Sequence, residues 1–175
     1  MEPSADPVVT ESVADGVTRS LDPQVIPLDR LAGYILTGSV SAMLALAALI
    51  TWIAADSWWP PIVVTVAWPI VTAGLLWLSY AWPPIDYRYH TYCVDERGIE
   101  IRHGVLWRSV ENVPRSRVQH IDVSQGPLER RFGLGKLSIY TAGTEYALIA
   151  LPGLSHDRAL RIRDHLLPGE SQDAV

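Results

Sequence analysis

The chain has one cysteine, Cys93, so no intrachain disulfide can form. Cys93 lies in an aromatic-rich run without a nucleophile signature around it, where a free thiol serves as a small buried hydrophobe. Metal-ligand spacing is missing too. The five histidines, His90, His103, His120, His156 and His165, are scattered. His120 and Asp122 fall two apart, on one face of a strand, but no G-x-S-x-G elbow stands near them. No phosphate loop is present either. In "RRFGLGK" (Arg130 to Lys136) a P-loop would need glycine where Arg130 stands and Ser or Thr where Leu137 stands. A dinucleotide fingerprint would need glycine at Ser138, and its glycines should follow a strand rather than precede one. Nucleic-acid binding finds no recognition motif, and the net charge of −5 supplies too little positive charge. These absences argue against an enzyme, a cofactor, a metal, a nucleotide and a nucleic acid.

The most informative absence is of charge. Leu31 to Ala55 contains no Asp, Glu, Lys, Arg or His, and after Asp56 the same holds from Ser57 to Ile85. A membrane-crossing helix needs about 20 apolar residues, so each run is long enough to span. Two transmembrane helices are predicted, at about 31–55 and 58–82, joined by a short tip into an antiparallel hairpin covering 30–85. Gly38, Ser39, Ser41, Ala42 and Ala45 give the first span a small-residue side suited to close helix approach. Pro69 and Gly74 in the second are tolerated inside membrane helices, and Trp58, Trp59 and Trp82 mark its two interfaces. The tip carries no Arg or Lys, whereas Arg30 and Arg88 border the hairpin's open end and many arginines follow. The positive-inside bias therefore places both termini in the cytoplasm. Residues 1–29 hold six acids, one arginine and four prolines, the composition of a flexible acidic tail, with no signal-peptide pattern.

The remainder, 86–168, is read as a soluble β-rich domain followed by a flexible tail at 169–175. "YRYHTYCV" (Tyr87 to Val94) has strand composition, "DERG" (Asp95 to Gly98) is a turn, and Ile99 and Ile101 alternate with Glu100 and Arg102. His103-Gly104 is a tight-turn candidate, with the returning strand starting at Val105. Arg117 to Val123 reads as a strand. Pro127 suits the first turn of a short helix, and Gly133 the position just past its end. "GLGK" then launches a strand, Lys136 to Thr141. After a turn at Ala142-Gly143 comes "YALIAL" (Tyr146 to Leu151), apolar on both faces and therefore expected to be central. Ser155 is a candidate N-cap for a closing helix whose stripe is Ala159, Ile162 and Leu166. Many short strands and one amphipathic helix suggest a small barrel or roll capped by that helix.

"VPRSRVQHIDVSQGPLERRFGLGKLSIYTAG" (Val113 to Gly143) resembles the signature of the bacterial PH-like membrane proteins, the YdbS-like family. The match rests on Pro114, "RVQ" at Arg117 to Gln119, "QGPLxR" at Gln125 to Arg130, "FGL" at Phe132 to Leu134, and "TAG" at Thr141 to Gly143. The preceding "GIEIRHGVL" (Gly98 to Leu106) and the layout of two spans before one domain also agree. The resemblance covers residues 31 to about 167. It implies a pleckstrin-homology-like fold: an α+β membrane protein whose transmembrane hairpin precedes an antiparallel β-roll closed by a C-terminal helix. Pro114, Gly126, Pro127, Phe132, Gly133 and Gly143 would be structural signature positions. The resemblance implies an interaction module of the bacterial inner membrane and supplies no reaction.

Two residue groups are candidates for binding. From Tyr87 to Leu167 the basic residues exceed the acidic by about three (12 − 9), a surplus hidden by the acidic tail. Arg88, Arg130, Arg131 and Lys136 are the candidate contacts to an anionic membrane surface, though surface arginines also simply solvate a domain. Arg115, Arg117 and Gln119 form the second group. Arg117 and Gln119 would share a face if both lie on one strand. They can hold a partner's carboxylate or backbone, or tie the domain's own loops together, the commoner use of such groups. The expected partners are the lipid bilayer and a membrane protein or a second copy of the chain.

Overall fold

A computed structural model of the chain describes residues 13–54, 56–141 and 148–167. The elements run β1 (Thr18–Ser20), α1 (Val25–Ala54), α2 (Trp59–Tyr89), β2 (Thr91–Asp95), β3 (Gly98–His103) and β4 (Ser109–Pro114). A 3-10 turn (Arg115–Arg117) leads into β5 (Val118–Ser124), followed by α3 (Pro127–Arg131), β6 (Leu134–Thr141), β7 (Leu148–Ser155) and α4 (His156–Leu166). One antiparallel sheet has the order β1-β2-β3-β4 and the other β5-β6-β7. The protein is thus an α+β membrane protein: a transmembrane helical hairpin, a two-sheet PH-like domain and a C-terminal helix.

The two long helices show outward faces that water would not tolerate. Leu46, Leu49, Ile53, Val63, Ile70 and Trp77 are all exposed, as lipid-facing side chains are. Where the helices meet, small and hydroxyl residues let them close. A Cβ on Gly33 would collide with Ser79. Thr37 Oγ1 lies 3.3 Å from Ser79 Oγ, and Trp68 Nε1 donates to Ser41 Oγ at 2.9 Å. This seam of Gly33, Thr37, Ser41 and Ala48 replaces part of the predicted one, since Gly38, Ser39 and Ala42 face outward. Polar bonds between helices are favourable in lipid, where no water competes for the groups.

The second helix runs past its predicted end at residue 82, through Pro83 and Pro84, to Tyr89. Tyr87 to Tyr89, expected as strand, are therefore helical. Propagating an established helix costs little, and its last turn is tied by His90 Nδ1 to the Asp86 carboxylate at 3.2 Å.

The expected flexible tail at 1–29 is corrected from residue 13 onward. Residues Thr18 to Ser20 add a strand to β2 in the register Thr18↔Cys93, Arg19↔Tyr92, Ser20↔Thr91. Leu21 is 6% exposed in the core, and Gly16 N donates to Val94 O. An acidic average concealed one apolar anchor, and covering the exposed edge of β2 is what this segment achieves.

The core fills the space between the sheets and α4. Val94, Ile99, Ile101 and Val113 from one sheet meet Ile121, Leu137, Ile139 and Leu151 from the other. Ala159, Ile162 and Leu166, the predicted stripe of α4, close it and are fully buried. The expectation of a central final strand is corrected: among the described residues β6 is central and β7 is an edge. In β7 Leu148, Ala150 and Pro152 point outward while Ile149, Leu151 and Leu154 point in. Pro152 has no N–H to donate, which suits an edge.

Candidate binding site

Two surfaces gather the residues singled out by the sequence. The first begins at the corner where the chain leaves one sheet for the other. Pro114 ends β4 opposite Gly98, and its fixed φ of −68° precedes the 3-10 turn. Arg117 therefore lies in a turn rather than on a strand, and Gln119 falls at a bulge between Val118 and His120. The shared strand face expected of this pair is not formed, because the bulge breaks the alternation. Arg115 turns inward: its N–H donates to Arg97 O, and its guanidinium to Leu167 O at 3.2 Å, tying the corner to the end of α4. Arg117 and Gln119 stay exposed.

Arg117 is also at the rim of a groove of about 390 Å³ between the sheets. One wall is the whole of β4. Val113 and Ile149 contribute its apolar lining, Thr141 closes one side, and Glu111 and Arg117 bring opposite charges. β4 is an outer strand, with no strand on its far side among the described residues. An outer strand beside an apolar groove with charges of both signs can accept an extended peptide in β-addition, backbone to backbone.

The second surface lies at the end of the domain where the hairpin enters. Arg88 is exposed on the last turn of α2. Arg130 and Arg131 are exposed at the end of α3, and Lys136 is half-buried in β6 opposite Ser124. Backbone bonds from Asp22 N to Gly153 O and from His156 N to Gly133 O hold the start of α1, the end of β7 and the end of α3 together. The four predicted basic contacts thus occupy the hairpin side of both sheets, without forming one cluster.

The signature positions shape this end. Gly126 precedes α3, where its N–H donates to Glu129 Oε2 at 2.6 Å, and Pro127 opens the helix. Phe132 closes α3 half-buried, and Gly133 has φ +68°, a left-handed conformation that favours glycine. "GLGK" therefore ends a short helix and opens a strand. Gly143 lies outside the described residues, as does the predicted turn around it.

The sequence reading missed two features. The strand expected from Val105 begins only at Ser109, and residues 104–108 form a loop that leaves Leu106 81% and Trp107 89% exposed. Gly104, at φ +105°, makes the bend possible, because a Cβ there would strike Trp107 O. Reading His103-Gly104 as a tight turn placed the start of the returning strand four residues too early. Beside it His90 and His103 stack with ring centroids 5.9 Å apart, flanked by Asp86 and Glu111. The scattered sequence positions gave no hint of that stack. No group of three or more His, Cys, Asp and Glu side chains able to hold a metal occurs among the described residues.

Comparison with known proteins bears on this arrangement. The model of the family described as "Bacterial PH domain" matches residues 25–169, hairpin and domain together. The transmembrane protein YdbS of Bacillus subtilis (strain 168) is 33% identical over 108 residues, 57% of this chain and 66% of that protein. The matched region thus spans just under two thirds of that relative's length. No solved structure matches the chain.

Proposed function

We infer, from the premise that the chain belongs to the bacterial PH domain family, that it is a non-enzymatic, membrane-anchored module that holds a partner protein at the cytoplasmic face of the bacterial inner membrane. The carrying observation is the outer strand β4 with its groove, rimmed by Arg117 and Glu111. An extended segment of a membrane protein would pair with β4 and place a carboxylate against Arg117. The hairpin confines the module to the plane of the bilayer, which raises its effective concentration for a partner in the same membrane. Arg30 and Arg88 at the hairpin's open end support cytoplasmic termini. Arg30 lies 4.2 Å from the Tyr80 ring and donates to Tyr80 O, fixed at that boundary.

A photo-crosslinking residue at Val110, which is 61% exposed on β4, tests this reading in the native membrane. A discrete protein adduct that disappears in Arg117→Glu, with the variant still folded and inserted, is the expected result. No protein adduct, or one indifferent to Arg117→Glu, contradicts it. A second reading, recognition of anionic lipid head groups, is favoured by Arg88, Arg130, Arg131 and Lys136 on the hairpin side. Retention of one phospholipid class without a protein partner would select it.

A further inference from the structure

We propose that the β3–β4 loop, residues 104–108, is a membrane foot: Leu106 and Trp107 seat in the head-group region of the bilayer that the hairpin spans. This contact goes beyond the partner groove and does not depend on it.

Strand register fixes where the loop points. Thr91 is the first residue of β2, two positions after α2 ends at Tyr89. It pairs with Ser20 on one side, just before α1 begins, and with Arg102 on the other. His103 in turn pairs with Ser109. Ser20, Thr91, Arg102 and Val110 therefore lie in one row at the hairpin end of the sheet, with the His103–Ser109 pair one step beyond it. β3 runs toward that row, and residues 104–108 project beyond it, back toward the membrane that α2 has just left. The loop is also held against the helix: the Arg108 guanidinium lies 5.8 Å from the Tyr89 ring, and His103 stacks on His90.

The composition of the tip suits that position. Tryptophan prefers the water–lipid interface, where its apolar body and polar N–H are both satisfied. A soluble surface gains nothing from a Leu-Trp pair this exposed, and such a pair beside an established membrane segment extends the same interface. The charges nearby fit as well. Arg88 and Arg108 form no ion pair among the described residues, and can reach phosphate from the side while their stems cover apolar surface. Arg102 is paired with Glu100, and Glu111 faces His103, so neither carboxylate points from the tip. The domain would then be held at three places, two helix ends and one loop, which fixes its orientation and keeps the β4 groove at a constant height.

Depth-dependent quenching tests this on the full chain in nanodiscs of phosphatidylcholine and phosphatidylglycerol. A bimane label is placed at Leu106→Cys in a Cys93→Ser background, with Ser116→Cys as the reference. Ser116 is exposed on the 3-10 turn at the opposite end of the sheet. With a nitroxide on the lipid head group, the label at 106 should lose most of its fluorescence and the label at 116 very little. Equal signals at the two positions place the loop in water, or against protein, and overturn the proposal. A label-free measurement repeats the test without the dye, read against cleavage at Arg117 as the control for folding. In the otherwise natural chain, Leu106→Asp with Trp107→Asp should speed tryptic cleavage after Arg108 severalfold in the same nanodiscs. An unchanged cleavage rate also overturns it.

Discussion

Arg115 and Arg117 stand two apart and act on different things. Arg115 is spent inside the domain, on the carbonyl of Leu167 and, through its backbone, on that of Arg97. Losing a bond from a charged donor to a partly buried carbonyl costs about 1–3 kcal/mol. Arg115→Ala should therefore lower the melting temperature of the domain in the full-length protein, while Arg117→Glu should leave it unchanged. Equal destabilisation by both would mean that Arg117 is structural as well. The sequence made these residues look alike. Their difference comes from the 3-10 turn, which swings one guanidinium under α4 and leaves the other at the groove.

At the level of elements, β1 is the part most open to perturbation, being only three residues long. Asp15 accepts from both Nη atoms of Arg19, at 2.7 and 2.6 Å, and from Val17 N at 3.1 Å. The Arg19 bonds, then the Val17 N–H, hold the Asp15 carboxyl below the usual carboxylate range. A carboxyl lowered in this way stabilises the folded state above its unfolded value, and that contribution is lost as pH falls through the lowered one. Amide exchange at residues 13–20 should accelerate, relative to the β2–β3 ladder, on acidification below the ordinary carboxylate range. Exchange at these residues that tracks the ladder throughout would contradict this docking role. The larger elements were legible in advance. The hairpin followed from two charge-free runs, α4 from its stripe, and α3 from Pro127 and Gly133. The misread ones have separate causes. Tyr87 to Tyr89 suit helix or strand, and the neighbouring helix decided; β1 hid in an acidic average. For residues 104–108 a glycine read as a two-residue turn opened a longer loop instead. β7 looked central because its outer face carries the apolar Leu148 and Ala150.

The whole molecule is a domain hung from a hairpin, and both candidate surfaces take their meaning from that attachment. The hairpin sets the distance of the domain from the bilayer. With the loop of Leu106 and Trp107 toward the membrane, as proposed, the β4 groove stays open for the proposed protein partner. The family and the membrane hairpin were readable from a single sequence, because charge exclusion and a long signature survive without coordinates. The groove was not, because its walls come from strands far apart in the chain: β4, Thr141 and Ile149. The most direct test of the account is a native mass spectrum of the full-length protein released from its own membrane in mild detergent. A stoichiometric complex with one membrane protein, lost in Arg117→Glu, is the expected result. Recovery of the chain alone, or with a single phospholipid class in place of a protein, would contradict it.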